Sequence, residues 1–140
     1  MSEPRLAPVR ILESALYVED LDRAVTFFQQ ALGLTPMVRV PERLVAMDAG
    51  GSTVLLLFRR GATTLGLKSP SGWIPPHDGS GPVHMAFAIE DAPAWEAHLV
   101  AHGVVIESRV SWDRGGMSLY FRDPDGHSIE LATRGTWPTF

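Results

Sequence analysis

The sequence predicts an α+β protein built from two tandem β-α-β-β-β modules, and an internal repeat is the main reason. The stretch ESALYVEDLDRAVTFFQQALG, residues 13–33, is echoed by HMAFAIEDAPAWEAHLVAHG, residues 84–103. In each copy a strand-like segment leads to an aspartate, and a helical pattern then ends in a glycine. Short strand candidates separated by turn residues follow both copies. Self-similarity of this length indicates a duplicated structural unit.

The first module begins with a strand over residues 10–18, where apolar and small residues alternate. Asp20 or Asp22 can cap the helix that follows, because aspartate accepts hydrogen bonds from the free N–H groups of a first helical turn. The apolar stripe of this helix has helical spacing and stops at Gly33, a residue suited to a left-handed C-cap. The later strands are predicted at residues 37–40, 44–48 and 53–59.

The second module repeats this order, with a strand over 82–89 and a helix from Asp91 to Gly103 that tolerates Pro93 in its first turn. Its later strands are predicted at residues 104–108, 117–122 and 127–133. Between the modules lies a segment rich in glycine, proline and serine, which reads as a connecting loop. The predicted organisation is residues 1–66 for the first module, 67–81 for the loop and 82–140 for the second module.

Composition narrows the classes of function. The chain has 140 residues, 45% of them hydrophobic and 20% charged, which is ordinary for a globular domain. A net charge of −4 with no basic cluster argues against a nucleic-acid partner. The absence of cysteine excludes disulfides, thiolate metal sites and a cysteine nucleophile. No apolar run could span a membrane and no signal peptide is evident, so we expect a cytoplasmic protein.

Strand alternation places three polar residues on equivalent faces of related strands. Glu13, His84 and Glu130 each lie in mid-strand on the face turned away from the helices, flanked by alanine or serine. Carboxylates are rarely buried unless they are paired or bind metal, so this face is the candidate site. Aligning the Asp48 turn with the Asp123 turn puts Leu55 opposite Glu130. The same alignment predicts an apolar cleft wall made of Val45, Met47, Leu55 and Leu57.

The stretch SLYFRDPDGHSIEL, residues 118–131, and the strand-helix-glycine stretch of residues 12–34 resemble the vicinal oxygen chelate superfamily. That family includes glyoxalase I, fosfomycin-resistance enzymes, extradiol dioxygenases and bleomycin-resistance proteins. The resemblance implies a glyoxalase-like fold, in which curved mixed sheets surround a cleft. It also implies a homodimer, often with modules from different chains completing one site.

The resemblance implies that Glu13, His84 and Glu130 are the metal ligands. Leu55 cannot bind metal, so the chain departs from the four-ligand pattern of glyoxalase I and is expected to be another member. One imidazole and two carboxylates suit Mn²⁺, Fe²⁺, Ni²⁺, Zn²⁺ or Mg²⁺ without choosing among them. Three ligands leave positions open for a substrate with two neighbouring oxygens. The opposing hypothesis is a metal-free polar cleft in which both glutamates hydrogen-bond to His84.

Other residues are weaker candidates. Glu13 either completes the metal site or acts as a base. By strand alternation Tyr120 shares the cleft face with Ser118 and Arg122 and could contact the substrate, and His77 could reach the cleft from its loop as an acid or base. His98 and His102 have a helical spacing that can hold zinc but lack a third partner. His127 points away from Glu130 and is expected to be a turn residue. Three tryptophans outside the helices could cover an apolar cleft, or could cover the core or a dimer surface: Trp73, Trp112 and Trp137.

The sequence therefore predicts a metal-dependent enzyme that acts on a small oxygenated molecule with an apolar body, as a lyase, isomerase, transferase or oxygenase. The alternative is a metal-free protein that sequesters an antibiotic or a metabolite. Nothing in the sequence identifies the substrate.

Overall fold

The computed structural model describes residues 5–140 and confirms two β-α-β-β-β modules. The first module comprises β1 (Glu13–Val18), α1 (Leu21–Leu32), β2 (Thr35–Val40), β3 (Leu44–Asp48) and β4 (Val54–Arg59). The segment between the modules contains β5 (Leu67–Ser69) and β6 (Gly72–Ile74). The second module comprises β7 (His84–Ala88), α2 (Ala92–Ala101), β8 (Ser108–Ser111), β9 (Met117–Arg122) and β10 (Ser128–Ala132).

Both helices begin where the sequence predicts. The Asp20 side chain accepts the backbone N–H of Arg23 at 3.0 Å, and Asp91 does the same for Ala94. These bonds satisfy N–H groups that a first helical turn leaves free. Helix α1 ends at Gly33, whose φ of 71° is left-handed and therefore favours a residue without a Cβ.

Each module forms its own four-stranded sheet, and the two sheets have the same strand order. The orders are β1-β4-β3-β2 and β7-β10-β9-β8. The first and last strands of each module are parallel neighbours, whereas the remaining pairs are antiparallel. This topology places residues of the first strand directly beside residues of the last strand, which is how the second module assembles its polar face.

One hydrophobic core joins the modules on the helix side of the sheets. Phe28 of α1 and Phe121 of β9 are both fully buried in it, and the Phe27 ring lies 6.1 Å from the Phe121 ring. Each helix therefore covers its sheet and also contributes to contacts between modules. The opposite faces of both sheets remain available for a site.

His127 lies in the turn between β9 and β10, as expected, and it also contributes a polar link between the modules. The residue is 1% exposed. Its Nδ1 accepts the Val83 N–H at 3.0 Å, and its Nε2–H donates to the Tyr17 carbonyl at 2.9 Å. A neutral imidazole has one acceptor and one donor nitrogen, so both are used here. The ring thus hydrogen-bonds to one backbone group of each module, the Val83 N–H of the second and the Tyr17 carbonyl of the first.

Two elements differ from the predicted positions. Strand β8 runs over Ser108–Ser111, rather than residues 104–108, because Val104 and Ile106 pack against the core before the strand begins. The connecting segment was expected to be a loop, but it contains the β5–β6 hairpin. Within residues 5–140, no helix is long and apolar enough to cross a membrane.

Candidate metal centre

Strands β7 and β10 bring His84 and Glu130 together on the face away from the helices. The strands are parallel, and His84 pairs in register with Ser128. Because side chains two residues apart share a face, Glu130 lies next along that face. The His84 Nε2 and Glu130 Oε1 atoms are 3.1 Å apart.

The other nitrogen of His84 is held by the backbone. Nδ1 lies 3.1 Å from the carbonyl oxygen of Ser128 and 3.3 Å from the hydroxyl of the same residue. A carbonyl oxygen can only accept, so Nδ1 carries a hydrogen and donates it there. This fixes the ring orientation and leaves Nε2 to face Glu130. A backbone acceptor behind the imidazole is the usual arrangement for a metal-binding histidine.

Glu130 is 7% exposed, although its carboxylate would be strongly hydrated in water. Its Oε2 accepts a 2.5 Å hydrogen bond from the hydroxyl of Ser118, a fully buried residue. The Ser118 oxygen in turn accepts the indole N–H of Trp112 at 2.8 Å. This chain fixes one carboxylate oxygen and leaves Oε1 directed at His84. A charged acceptor accounts for the short first bond.

Tyr120 borders this pair, since it lies directly opposite Glu130 in the β9–β10 register. Its ring stacks on the His84 ring with centroids 6.1 Å apart. Burial raises the pKa of the Tyr120 phenol, and the neighbouring Glu130 charge raises the pKa further. Tyr120 is therefore a protonated phenol at neutral pH, able to donate a hydrogen bond rather than to act as a base.

The pair matches the requirements of a divalent cation. Two ligand atoms at about 2.1 Å from one ion and at right angles to each other are about 3 Å apart. The observed 3.1 Å between Nε2 and Oε1 is close to that separation. It is also an ordinary hydrogen-bond distance, so Glu130 makes the contact with His84 that the metal-free hypothesis expects of it. Both side chains are also held from behind, at Nδ1 and at Oε2. A cation would satisfy the remaining lone pairs and neutralise the buried carboxylate.

Glu13 does not join this pair within one chain. It lies on β1 of the other sheet and borders two concavities, one of them a groove of about 590 Å³ that extends to residues 85–88 of β7. Among residues 5–140, no three histidine, cysteine, aspartate or glutamate side chains are grouped closely enough to hold an ion. The structure thus brings together two of the three predicted ligands.

His77 lies at a concavity of the first sheet, on the same side as Glu13. The Tyr17 hydroxyl is hydrogen-bonded to its Nδ1 at 2.6 Å, and the ring packs edge-on against Phe58 with centroids 4.6 Å apart. Burial, followed by the Asp78 charge, raises the pKa of Tyr17, so this phenol also keeps its proton. The hydrogen bond to Tyr17 holds the His77 ring in place at the edge of the concavity.

The predicted alignment of the two hairpins is wrong by one residue. The Ala49 N–H donates to the Thr53 carbonyl, just as the Asp123 N–H donates to the His127 carbonyl. Ala49, rather than Asp48, therefore corresponds to Asp123.

The strand register agrees with this correction. Glu130 pairs with Ala86, and the equivalent pair in the first module is Leu56 with Ala15. Leu56 is the counterpart of Glu130, and Leu55 is a core residue that is 1% exposed. A leucine cannot bind metal in either register, so the argument against a fourth ligand stands.

The predicted apolar wall is wrong for the same reason. Its members pack beneath α1 in the core and are at most 1% exposed: Val45, Met47, Leu55 and Leu57. The concavity is lined instead by the alternate residues Leu44, Leu56 and Phe58. Strands β3 and β4 are apolar on both faces, so their pattern does not indicate which face is buried.

His98 and His102 have structural roles. His98 Nε2–H donates to the Gln30 and Ala31 carbonyls, each at 3.1 Å. It thereby provides a donor for carbonyl groups at the end of α1 that have no partner within the helix. His102 Nδ1–H donates to the His98 carbonyl at 2.8 Å. The described part of the chain offers no third ligand to this pair.

Sequence patterns did not indicate two roles: that of Trp112 behind Glu130, and that of Arg43 at the first-sheet concavity, which is separate from the His84–Glu130 pair. Trp112 follows β8, and only the β8–β9 hairpin brings its indole to Ser118. Arg43, between β2 and β3, lines the concavity of the first sheet. Strand alternation did place Ser118 on the cleft face, but nothing in the sequence indicated its contact with Glu130.

The fold and this site define a class: paired modules that present a histidine and a carboxylate on one cleft face. Residues 10–131 match the Glyoxalase/Bleomycin resistance protein/Dioxygenase superfamily, and the chain belongs to that superfamily.

Three comparisons are informative about its relatives. The chain is similar to the crystal structure of a lactoylglutathione lyase from Agrobacterium tumefaciens, with a TM-score of 0.84, 32% identity, and 94% and 98% of the two chains covered. It is 32% identical over 118 residues to the glutathione transferase FosA of Serratia marcescens, covering 83% of this chain and 74% of that protein. It is 47% identical over 53 residues to the metallothiol transferase FosB of Bacillus licheniformis, covering 36% of this chain and 34% of that protein.

Proposed function

We propose that this protein is a divalent-metal-dependent enzyme acting on a small organic molecule that presents two neighbouring oxygen atoms. The observation that carries the proposal is the His84–Glu130 pair, whose facing atoms are 3.1 Å apart while their outer atoms are bonded to Ser128 and Ser118. Relatives named as a glutathione transferase, a metallothiol transferase and a lactoylglutathione lyase support an enzymatic role.

His84 Nε2 and Glu130 Oε1 would hold the ion. Imidazole with carboxylate is compatible with Mn²⁺, Fe²⁺, Ni²⁺, Zn²⁺ or Mg²⁺. When bound, such an ion supplies Lewis-acid stabilisation of negative charge that develops on a substrate oxygen. Tyr120, kept protonated by its surroundings, would donate a hydrogen bond to the substrate beside it.

Glu13 of a second copy is the proposed third ligand. Glu13 lies on β1, an edge strand of its sheet, and β7 is likewise an edge strand. Exposed apolar residues flank both edges, with Ile11 77%, Leu12 57% and Val83 41% exposed. Unpaired strand edges with apolar flanks favour association with another chain. In a two-fold dimer, Glu13 of one copy would face His84 and Glu130 of the other.

Glu13 has a second possible role as the base that removes a proton from the substrate, and His77 is an alternative acid or base from the same concavity. Glu13→Gln separates these roles, because glutamine can retain a weak oxygen ligand but cannot accept a proton as a base. Loss of turnover with metal retained assigns the base role to Glu13. Full activity in this variant excludes that role.

The first experiment measures bound metal on protein purified without a metal-affinity column, followed by titration of metal-free protein with each candidate ion. One ion per site is expected for the wild type, with strong loss in His84→Gln and Glu130→Gln. The matched control is His98→Gln, which changes a histidine outside the cleft. No metal uptake by the wild type would overturn the proposal, and ligand binding without metal would favour the sequestering alternative.

The second experiment tests the shared site by mixing two inactive variants. Glu13→Ala and His84→Ala subunits, unfolded and refolded together, form mixed dimers in which one of the two sites is intact. Equal mixing should restore about one quarter of wild-type metal binding in the presence of a competing chelator, since half of the dimers are mixed. No recovery, with mixed dimers confirmed by mass spectrometry, would contradict the shared site.

A further inference from the structure

The first module carries a cavity of about 690 Å³ on the sheet face away from α1. Its walls are mainly apolar and include Leu44, Leu56, Phe58 and Ile74. Charged or titratable side chains enter it at Glu13, Arg43 and His77. A volume of this size suits a small organic ligand, and a few polar groups in an apolar cavity determine how such a ligand is oriented.

Arg43 is distinguished from the other arginines of this sheet by its lack of a carboxylate partner. Arg39 pairs with Asp22 at 3.0 Å, Arg59 pairs with Glu42 at 2.9 Å, and Arg60 pairs with Glu19 at 2.9 Å, in each case outside the cavity. Within residues 5–140, no carboxylate oxygen lies within 4.0 Å of the Arg43 guanidinium.

The Arg43 guanidinium is partly buried and held in place from one side. Its Nη1–H donates to the carbonyl of Ala62 at 3.0 Å, which uses one of its five N–H groups. The remaining donors have no other protein partner in the described chain. Arginine stays charged at all ordinary pH values, so a partly buried guanidinium beside an apolar cavity favours an anion there.

We propose that this cavity binds an organic anion, with its carboxylate, phosphonate or phosphate oxygens on Arg43 and its apolar body against Leu44, Leu56 and Phe58. The planar guanidinium can donate two parallel hydrogen bonds to such a group. Glu13 borders the same cavity, so the anionic group and the metal-binding oxygens would lie at different ends of one substrate. This substrate class rests on the proposed function, whereas anion binding by Arg43 can be measured without metal.

The experiment compares isosteric probes on full-length, metal-free protein in the presence of a chelator. The probes are 4-phenylbutyrate, its neutral amide 4-phenylbutyramide, and phenylphosphonate as a second anion, each titrated by calorimetry. The carboxylate should bind roughly tenfold to a hundredfold more tightly than the amide, as expected for a charge-assisted hydrogen bond. In Arg43→Gln this preference should vanish, and in Arg43→Lys it should be partly retained.

Arg10→Gln is the matched control. Arg10 also donates to a backbone carbonyl, that of Ser52 at 3.4 Å, and has no carboxylate partner among residues 5–140, but it lies outside the cavity. The control should bind all probes as the wild type does, and thermal unfolding should establish that Arg43→Gln is folded. Equal affinity of the wild type for acid and amide, no saturable binding of either anion, or equal losses in both variants would overturn the proposal.

Metal titration of the same proteins separates the two proposals. Arg43→Gln should keep wild-type metal binding, because Arg43 contacts neither His84 nor Glu130. Anion preference without metal uptake would contradict the metal-dependent function and leave the anion site standing. Metal uptake without anion preference would do the reverse.

Discussion

The two modules place different side chains at the same point of the same architecture. On the cleft face of the last strand, the first module has Leu56 and the second has Glu130, and the neighbouring strands carry Ala46 and Tyr120 at equivalent positions. Both sheets have the same strand order. The repeat therefore provides the common scaffold. The second module adds the polar pair His84–Glu130, and the first module adds the apolar surface that includes Leu56.

Glu130→Gln has the largest expected effect on metal affinity, and it tests directly whether the second module carries the metal-binding side chains. The substitution keeps the shape but removes the negative charge that would balance an ion, so metal affinity should fall by at least about 100-fold. Isothermal titration with metal-free protein measures the change. Leu56→Met, at the equivalent site of the first module, should leave metal affinity unchanged, and similar losses in both variants would contradict the assignment of the reactive side.

His127→Leu tests a second difference between the modules, because the residue equivalent to His127 in the first hairpin is Thr53. Removing the ring leaves the Val83 N–H without its acceptor and leaves the Tyr17 carbonyl only the 3.4 Å hydrogen bond from Arg60, in a part-buried region. Since one unpaired buried group costs about 1–3 kcal/mol, we expect a loss of about 1–3 kcal/mol in the free energy of unfolding.

Urea denaturation compares His127→Leu with Thr53→Ala. The Thr53 hydroxyl donates only to the Gly50 carbonyl of its own exposed turn, at 2.7 Å, so its loss should cost less than about 1 kcal/mol. Equal losses would show that His127 contributes no special link between the modules.

The repeat made most of the fold predictable, because its signals act over short stretches of chain. Asp20 and Asp91 begin helices through contacts with residues three positions later. The sequence predicts Asp91 directly and Asp20 as one of two candidates, the other being Asp22. The shared cleft face of His84 and Glu130 also followed from strand alternation. Their separation of 3.1 Å depends on the parallel β7–β10 register, which the structure provides.

Other features depend on contacts that sequence patterns do not record. The hairpin alignment is wrong by one residue because it rests on matching Asp48 with Asp123, and β3 and β4 are apolar on both faces, so strand alternation does not correct the match. The position of Trp112 behind Ser118 depends on how the β8–β9 hairpin closes. The role of Arg43 is not predictable from the sequence, because it depends on whether a carboxylate lies beside the guanidinium in the fold. None does within residues 5–140.

Ser118→Ala tests whether the hydrogen bond to Glu130 positions this carboxylate in the second module. The substitution removes the hydroxyl that holds Glu130 Oε2, so the carboxylate loses its orientation without losing its charge. Groups that orient a metal ligand typically contribute 10–100-fold to affinity, and we expect a loss of about that size. Trp112→Phe should have a smaller effect because Trp112 acts through Ser118.

The matched control for Ser118→Ala is Ser111→Ala, on the neighbouring strand at an exposed position. Chelator competition measures metal affinity in all three variants. A larger loss of metal affinity in Trp112→Phe than in Ser118→Ala would contradict the proposal that Trp112 acts through Ser118. An unchanged metal affinity in Ser118→Ala would exclude Ser118 from positioning Glu130.

Asp123→Asn has the smallest expected effect and tests the turn that distinguishes the second hairpin, where the first module has Ala49. Burial raises the pKa of Asp123, and the neighbouring Asp125 charge adds to this, although N–H groups of Asp125 and His127 partly oppose the shift. A raised pKa means that the folded protein binds this proton more tightly than the unfolded chain, so stability falls as pH rises from the unfolded pKa through the folded pKa.

Asparagine keeps the accepting oxygen but has no such titration. The variant should therefore gain stability relative to the wild type between pH 3.5 and pH 7, measured by urea denaturation at both values. A stability difference that is the same at both pH values would show that burial of the Asp123 charge does not destabilise the second hairpin, and that the two hairpins differ in sequence but not in their response to pH.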